Sequence, residues 1–386
     1  MLRLLAAAAL LGSGLSAETI TTDTANQMVT PDMHALPLHI GGRVQAIPLP
    51  APMPKGAIAY RHIWPGIYFE GAFVGDRVML KFDDTSHEYR LLVDEAAPIT
   101  FFRPGKVEIM VGRLEAKRHR VRLEQVSESF LGAGTFEGFY VPGDAKPLKV
   151  APRRRQIEFI GPSGMTGFGD RSTKAECTFD ELARTSDTQQ AYPALVAKHF
   201  GADYQINANS GHGLIRNVKE ARDSPGLVAL YPHTSAEGDS PYSDPSWQPQ
   251  IIEIQGLADV LIGDPEPGEK WATIDALWDD WLRAYQGFIA DLHRRSPRAA
   301  LIIDWPDETF ITPPAYRAKF AAAKQTLTDE ARRNGVRMIL FVWPTTLMGR
   351  LEQTGCGNHP TVKDHRLLAD WLAGVIDAHP GIWDGK

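Results

Sequence analysis

The arrangement of apolar positions changes character once along the chain. Up to about residue 150 apolar and polar residues alternate over short stretches. Gly66-Ile67-Tyr68-Phe69-Glu70-Gly71-Ala72-Phe73 is aromatic and extended, and Arg77-Val78-Met79-Leu80-Lys81-Phe82 alternates as a half-buried strand does. Residues 107–111 and 119–123 repeat that period, punctuated by Gly75-Asp76, Asp83-Asp84 and Pro104-Gly105. Short strands at this spacing predict a β-sandwich over 18–150. Pro147 and the run Arg153-Arg154-Arg155 mark a linker.

From Ile157 the period changes. Residues 157–160 read as a short buried strand entering a Gly-rich turn. Residues 191–200 carry apolar positions at helical spacing and are closed by Gly201. Strands follow at 251–254, 299–304 and 337–343, with an amphipathic helix at 278–295 and a closing helix at 365–376. Strand alternating with helix predicts an α/β domain over 151–386, a parallel sheet with helices on both faces. In such sheets functional groups gather at the carboxyl ends of the strands.

Composition adds constraints. The 386 residues are 43% hydrophobic and 23% charged, ordinary globular values at a length suited to two domains. The net charge of -6 and the lack of a basic stripe argue against a nucleic-acid partner. Met1-Leu2-Arg3, a Leu/Ala run over 4–11 and the small residues ending at Ala17 read as a signal peptide cleaved after Ala17. The apolar run falls short of the ~20 residues needed to span a bilayer. A periplasmic or secreted protein without a membrane span is the expectation. Export allows Cys177 and Cys356 to pair, although the sequence does not give their separation in space. No CxxC or HExxH pattern points to a metal.

Three segments carry candidate chemistry. Gly161-Pro162-Ser163-Gly164 directly follows the first α/β strand, where a tight turn can present a serine hydroxyl to a cleft. Ser210-Gly211-His212-Gly213 follows an extended stretch, and a glycine there can offer its N–H to a developing oxyanion. Gly355-Cys356-Gly357-Asn358-His359-Pro360 precedes the last helix and supplies a histidine able to act as a general base. Taken singly, each has an ordinary structural reading as a turn or capping residue.

Taken in order, the segments resemble an SGNH (GDSL-like) hydrolase, and the whole mature chain is similar to carbohydrate esterase family two, whose members remove acetyl groups from polysaccharides. The likeness is carried by Trp64-Pro65-Gly66-Ile67-Tyr68-Phe69-Glu70, Phe136-Glu137-Gly138-Phe139, residues 157–169, Cys177-Thr178-Phe179, Ala191-Tyr192-Pro193, residues 210–217, residues 247–252 and residues 355–360. It implies a jelly-roll sandwich followed by a three-layer α/β SGNH-hydrolase domain. It implies Ser163 as nucleophile, His359 as general base and then acid, and the N–H groups of Ser163 and Gly211 as oxyanion donors. The substrate would be an acetylated polysaccharide or oligosaccharide, with no cofactor or metal required. Trp305 and Trp343, at strand ends on the active edge, are candidates for stacking on a sugar ring.

Three positions depart from the family pattern. Pro162 replaces the aspartate of the Gly-Asp-Ser block. Ala258, in Gly256-Leu257-Ala258-Asp259, stands where the family has an asparagine that donates to the oxyanion. Losing one such donor costs roughly 2.7–4 kcal/mol. Cys356 occupies the place of the acid three residues before the histidine, a loss tolerated where a backbone carbonyl orients the ring. Gln255 or Asp259 could compensate near the oxyanion, although core roles suit them better, and His212 could face the cleft. The reading is an acetyl esterase with a weakened oxyanion hole. A carbohydrate-binding protein with a degenerate, inactive esterase domain is the alternative, and transfer of the acyl group to another sugar is a third possibility.

Overall fold

The computed structural model describes residues 21–23, 29–238, 240–261, 263–311 and 314–384. The expected signal peptide and its cleavage point lie outside these residues.

Alternation of apolar residues in the first half builds two antiparallel sheets facing each other. One runs in the order Thr21–Asp23, Gly105–Gly112, Val78–Asp84, Gly134–Val141, Ile58–His62, Gln45–Pro48, with His34–Ala35 added to Gly134–Val141. The other runs Lys146–Leu148, Tyr68–Gly75, Lys117–Gln125, Glu88–Val93, Ile99–Phe102, with His39–Gly41 added to Tyr68–Gly75. Their inner faces meet in an aromatic core. Phe69, Phe82, Phe136 and Tyr89 are buried there, with Phe69 and Phe136 centroids 4.9 Å apart. This is the sandwich the alternation predicts.

Beyond it, Gln156–Gly161 opens a parallel five-stranded sheet in the order Asp203–Ala208, Gln156–Gly161, Ile251–Ile254, Ala300–Trp305, Arg337–Val342. Tyr192–His199 and Val362–Asp377 pack on one face, while Ile274–Arg295 covers the other with Trp278, Trp281, Tyr285 and Phe288. A helix at Pro314–Arg333 was not expected from the pattern. It buries only Phe320, Ala323, Leu327 and Ala331 among many charged residues, so its apolar stripe is too narrow to read.

The two halves are locked by buried ion pairs. Arg43, 1% exposed, reaches from the sandwich side into the α/β half. Its Nη2 lies 2.9 Å from Glu158 Oε1, its Nε donates to Gln205 Oε1, and it lies over the rings of Tyr231 and Tyr242. A second cluster joins Glu70 to Arg122 and Arg153, and Arg153 and Tyr68 to Asp203. Removing one partner of such a pair strands a buried charge. Arg43→Met is therefore expected to cost about 3–5 kcal/mol, read as a lower urea midpoint. A midpoint equal to wild type would contradict the locking role.

Candidate functional site

The strand Gln156–Gly161 ends where Ser163 begins a single 3-10 turn, Ser163–Met165, pinned by fully buried Met165. At the other end of the chain, Cys356–Asn358 forms another short turn and delivers His359 just ahead of the helix Val362–Asp377. Thr361 and Asp364 form a capping box at that helix start, and the Asp364 carboxylate also accepts from the N–H groups of Glu352 and Gln353. One carboxylate thus fixes both the helix entrance and the loop before the histidine.

These turns bring the two side chains into contact. His359 Nε2 lies 2.8 Å from Ser163 Oγ across 196 positions of sequence, and His359 Nδ1 lies 2.9 Å from the Cys356 carbonyl oxygen. A carbonyl can only accept, so Nδ1 carries the proton and Nε2 is free to accept from the serine. Burial lowers the His359 pKa below its ordinary value, against the opposing pull of its hydrogen bond to the Cys356 carbonyl. The ring packs against Phe168, with centroids 4.4 Å apart and the planes tilted by 35°.

The carbonyl that orients the imidazole belongs to a disulfide-bonded residue. Cys356 is bonded to Cys177. Gly169 lies against this bridge, where an added Cβ would fall 2.3 Å from Cys356 Cβ at a φ of +58°. Only glycine lets the loop after the serine pass this close. Cys356 N–H and Val362 N–H donate to the Gly169 and Asp170 carbonyls, so the histidine loop and the serine loop are stitched together.

Gly211 sits at a φ of +79° in the turn after Asp203–Ala208. Among the described residues its N–H has no acceptor in the chain. The turn is built on two carboxylates. Asp259 is fully buried and accepts from the N–H groups of Leu214, Ile215 and Arg216 at 2.8, 2.6 and 2.6 Å. Asp259 thus holds the loop at Leu214, Ile215 and Arg216. Glu128 comes from the sandwich and is also fully buried. It accepts from Thr166 Oγ1 at 2.6 Å and from Ser210 Oγ, while the adjacent Ser129 Oγ donates to Asn209. Thr166 is three residues from Ser163 and Ser210 is next to Gly211, so one carboxylate couples the two turns. Glu128 carries no local sequence signal, because its partners lie 38 and 82 positions away.

Beside Ser163 opens a cavity of about 380 Å³, lined by Pro162, Gly164, Gln255, Leu257, Trp305 and Trp343 among others. Gln255 lies against Gly164, whose Cβ would sit 3.1 Å from Gln255 Oε1. Trp343 is half-buried, packs on Tyr192 and donates Nε1–H to Asp304. Trp305 is 1% exposed, packs on Phe320 and donates to Glu308, so only an edge of it reaches the cavity. His212 is buried, its Nδ1 3.0 Å from the Ser210 carbonyl and its Nε2 beside the Asn209 amide, which stiffens the Gly211 turn. Ala258 lies at the start of the short helix Ala258–Leu261. Among the described residues no cluster of His, Cys, Asp or Glu is arranged to hold a metal ion, and no helix is long and apolar enough to cross a membrane.

Comparison with known proteins places this arrangement in context. Residues 55–151 match the model described as carbohydrate esterase 2 N-terminal. An acetylxylan esterase / glucomannan deacetylase of Cellvibrio japonicus is 38% identical over 348 residues, covering 90% of this chain and 92% of that protein. Among solved structures, a carbohydrate esterase described as having divergent catalytic and non-catalytic binding functions at its active site is 37% identical, with a TM-score of 0.78 over 91% of this chain and 100% of that one. A carbohydrate esterase family 2 enzyme with a carbohydrate-binding domain from Corynascus thermopiles (Myceliophthora fergusii) is 26% identical, with a TM-score of 0.69 over 89% and 99% of the two chains.

Glu128 gives this geometry a test. Burial pushes its carboxyl up to about 7, against the hydrogen bonds from Ser210 and Thr166. An unfolded glutamate titrates near about 4.3, so this group's contribution to stability is fully present below that pH and is lost as pH rises through about 7. Glu128→Gln is expected to flatten that decline in urea midpoints measured between pH 4.5 and 7.5. Glu128→Ala, which releases both turns, is expected to lower kcat on a small acetyl ester by about 10²-fold. The glutamine variant, able to accept and donate, should retain most of the rate. Wild-type kcat in the alanine variant would contradict the coupling.

Proposed function

The chain belongs to carbohydrate esterase family 2, and from that premise we propose that it removes acetyl groups from a polysaccharide or oligosaccharide through an acyl-enzyme on Ser163. The observation that carries the reading is the 2.8 Å contact between Ser163 Oγ and His359 Nε2, with the opposite ring nitrogen directed at the Cys356 carbonyl. The substrate class follows from the relatives, and an exported location fits a polymeric substrate outside the cytoplasm.

The chemistry proceeds in two halves. His359 Nε2 takes the proton from Ser163 as Oγ attacks the acetyl carbonyl carbon. Negative charge builds on the carbonyl oxygen, and the N–H groups of Ser163 and Gly211 receive it. The tetrahedral species collapses, the C–O bond to the sugar breaks, and His359 returns the proton to the departing hydroxyl. A water then attacks the acetyl-serine, giving one proton to the same nitrogen; the bond between the acyl carbon and Ser163 Oγ breaks, His359 returns that proton to Oγ, and acetic acid leaves and ionises in water. Among the described residues no carboxylate touches the imidazole, so backbone carbonyl groups, that of Cys356 at 2.9 Å first among them, fix its tautomer. Ala258 brings no side-chain donor, which leaves the oxyanion with backbone partners and predicts a slower enzyme than one with the family asparagine.

The alternative, a binding protein with an inactive esterase domain, rests on Pro162, Ala258 and Cys356 departing together. The retained serine–histidine contact favours the enzyme, because a decayed site has no need to hold this pair within proton-transfer distance. Two outcomes test the choice. Ser163→Ala is expected to reduce hydrolysis of 4-nitrophenyl acetate by at least about 10³-fold and to abolish labelling by a fluorophosphonate. Equal rates in both proteins would remove Ser163 from the reaction. The base must be neutral to act, so kcat/KM should fall with decreasing pH through a pKa lying below the ordinary histidine value of 6.5. A limb centred above that value would contradict the buried, neutral imidazole.

A further inference from the structure

A row of aromatic rings runs outward from the histidine. Phe168 lies against His359 at 4.4 Å, Phe130 follows at 6.1 Å from Phe168, and Phe179 at 5.6 Å from Phe130. The three come from separate parts of the chain. Phe168 lies in the loop after Ser163, Phe130 in the sandwich turn Ser129–Leu131, and Phe179 at the first position of the helix Phe179–Thr185. None of the three lines the tryptophan-bearing cavity.

Phe179 is 63% exposed, more than any other large hydrophobic side chain among the described residues. It is not on a loose segment. Thr178 caps its helix through a capping box with Glu181, and Cys177, two residues before it, is bonded to the cysteine that orients His359. Phe130 is equally fixed, since the residues before it, Glu128 and Ser129, are the ones that hold Thr166, Ser210 and Asn209. Phe168 and Phe130 are half-buried and Phe179 is exposed, so the row opens to solvent at its outer end while its backbone stays fixed.

We propose that Phe179 and Phe130, continuing from Phe168, form a stacking ribbon for the backbone of the polysaccharide whose ester is presented to Ser163. The proposal rests on the esterase reading and adds where the polymer lies. A pyranose ring has an apolar C–H face and hydroxyls at its rim, which suits an aromatic face flanked by polar groups. Those groups are present. Asp180 follows Phe179 directly, exposed, and is paired with Arg184 and Arg103. Successive rings are tilted by 35°, 58° and 63°, so the path from the dyad to Phe179 offers ring edges as well as faces to a chain that passes along it.

Partially acetylated xylan and acetylated glucomannan are the probes, with 4-nitrophenyl acetate as the small ester. In Phe179→Ala the ratio of kcat/KM on polymer to kcat/KM on the small ester is expected to fall about tenfold, carried by KM, as loss of about 1.4 kcal/mol of stacking predicts. Phe130→Ala should shift the ratio in the same direction. Retardation of the wild type in native gels containing either polysaccharide should weaken in both variants. An unchanged ratio with unchanged retardation overturns the ribbon while leaving the esterase reading intact. Phe179-dependent retardation in a wild type that hydrolyses neither ester overturns the esterase reading and leaves the ribbon standing.

Discussion

The hydrogen bond from His359 Nδ1–H to the Cys356 carbonyl is the interaction on which the rest of the site depends. A peptide carbonyl has no charge to stabilise an imidazolium, so its contribution is directional. It fixes the tautomer and aims Nε2 at Ser163. That economy shifts the burden to the scaffold, because a carbonyl orients a ring only as well as its own backbone is held. The disulfide to Cys177, the close pass of Gly169 and the capping box of Thr361 and Asp364 all act on this short loop. Cys356 anchors the loop through its side chain and orients the ring through its main chain.

The sandwich takes part in the same construction. Glu128 crosses the boundary between the halves to hold the turns of Ser163 and Gly211 in register, and Arg43 crosses it to satisfy Glu158 beneath the sheet. Both groups are buried, Glu158 compensated by the Arg43 guanidinium and Glu128 hydrogen-bonded by the Thr166 and Ser210 hydroxyls from across the boundary. The geometry therefore ties the alignment of the Ser163 and Gly211 turns to docking of the two halves. The same sandwich turn carries the half-buried Phe130, so one short segment meets the Gly211 turn on one side and the rings of Phe168 and Phe179 on the other.

Much of the fold was legible because its periods are strong. The alternating runs at 77–82 and 119–123 became strands Val78–Asp84 and Lys117–Gln125, and the amphipathic stretch at 278–295 lies within Ile274–Arg295. The helix Pro314–Arg333 escaped because its buried stripe is four residues wide in a charged sequence. At the site, the turns bearing Ser163, Gly211 and His359 were legible as ordered blocks that resemble a family. Glu128 and Arg43 were not, since each acts through partners distant in sequence and no local pattern marks them, and Phe168 fell within the block 157–169 with no role attached. Asp259 was visible as a candidate, and the structure assigns it to the loop it holds. Trp305 was visible too, but its burial against Phe320 could not be inferred from its place at a strand end.

The position of one proton decides whether His359 can serve as a base, and nitrogen NMR of its ring in the resting protein at pH 7 reads that position. The expected spectrum is that of a neutral imidazole with the proton on Nδ1 and an unprotonated Nε2 shifted by the bond it accepts from Ser163. A ring protonated on Nε2, or charged on both nitrogens at that pH, would contradict it.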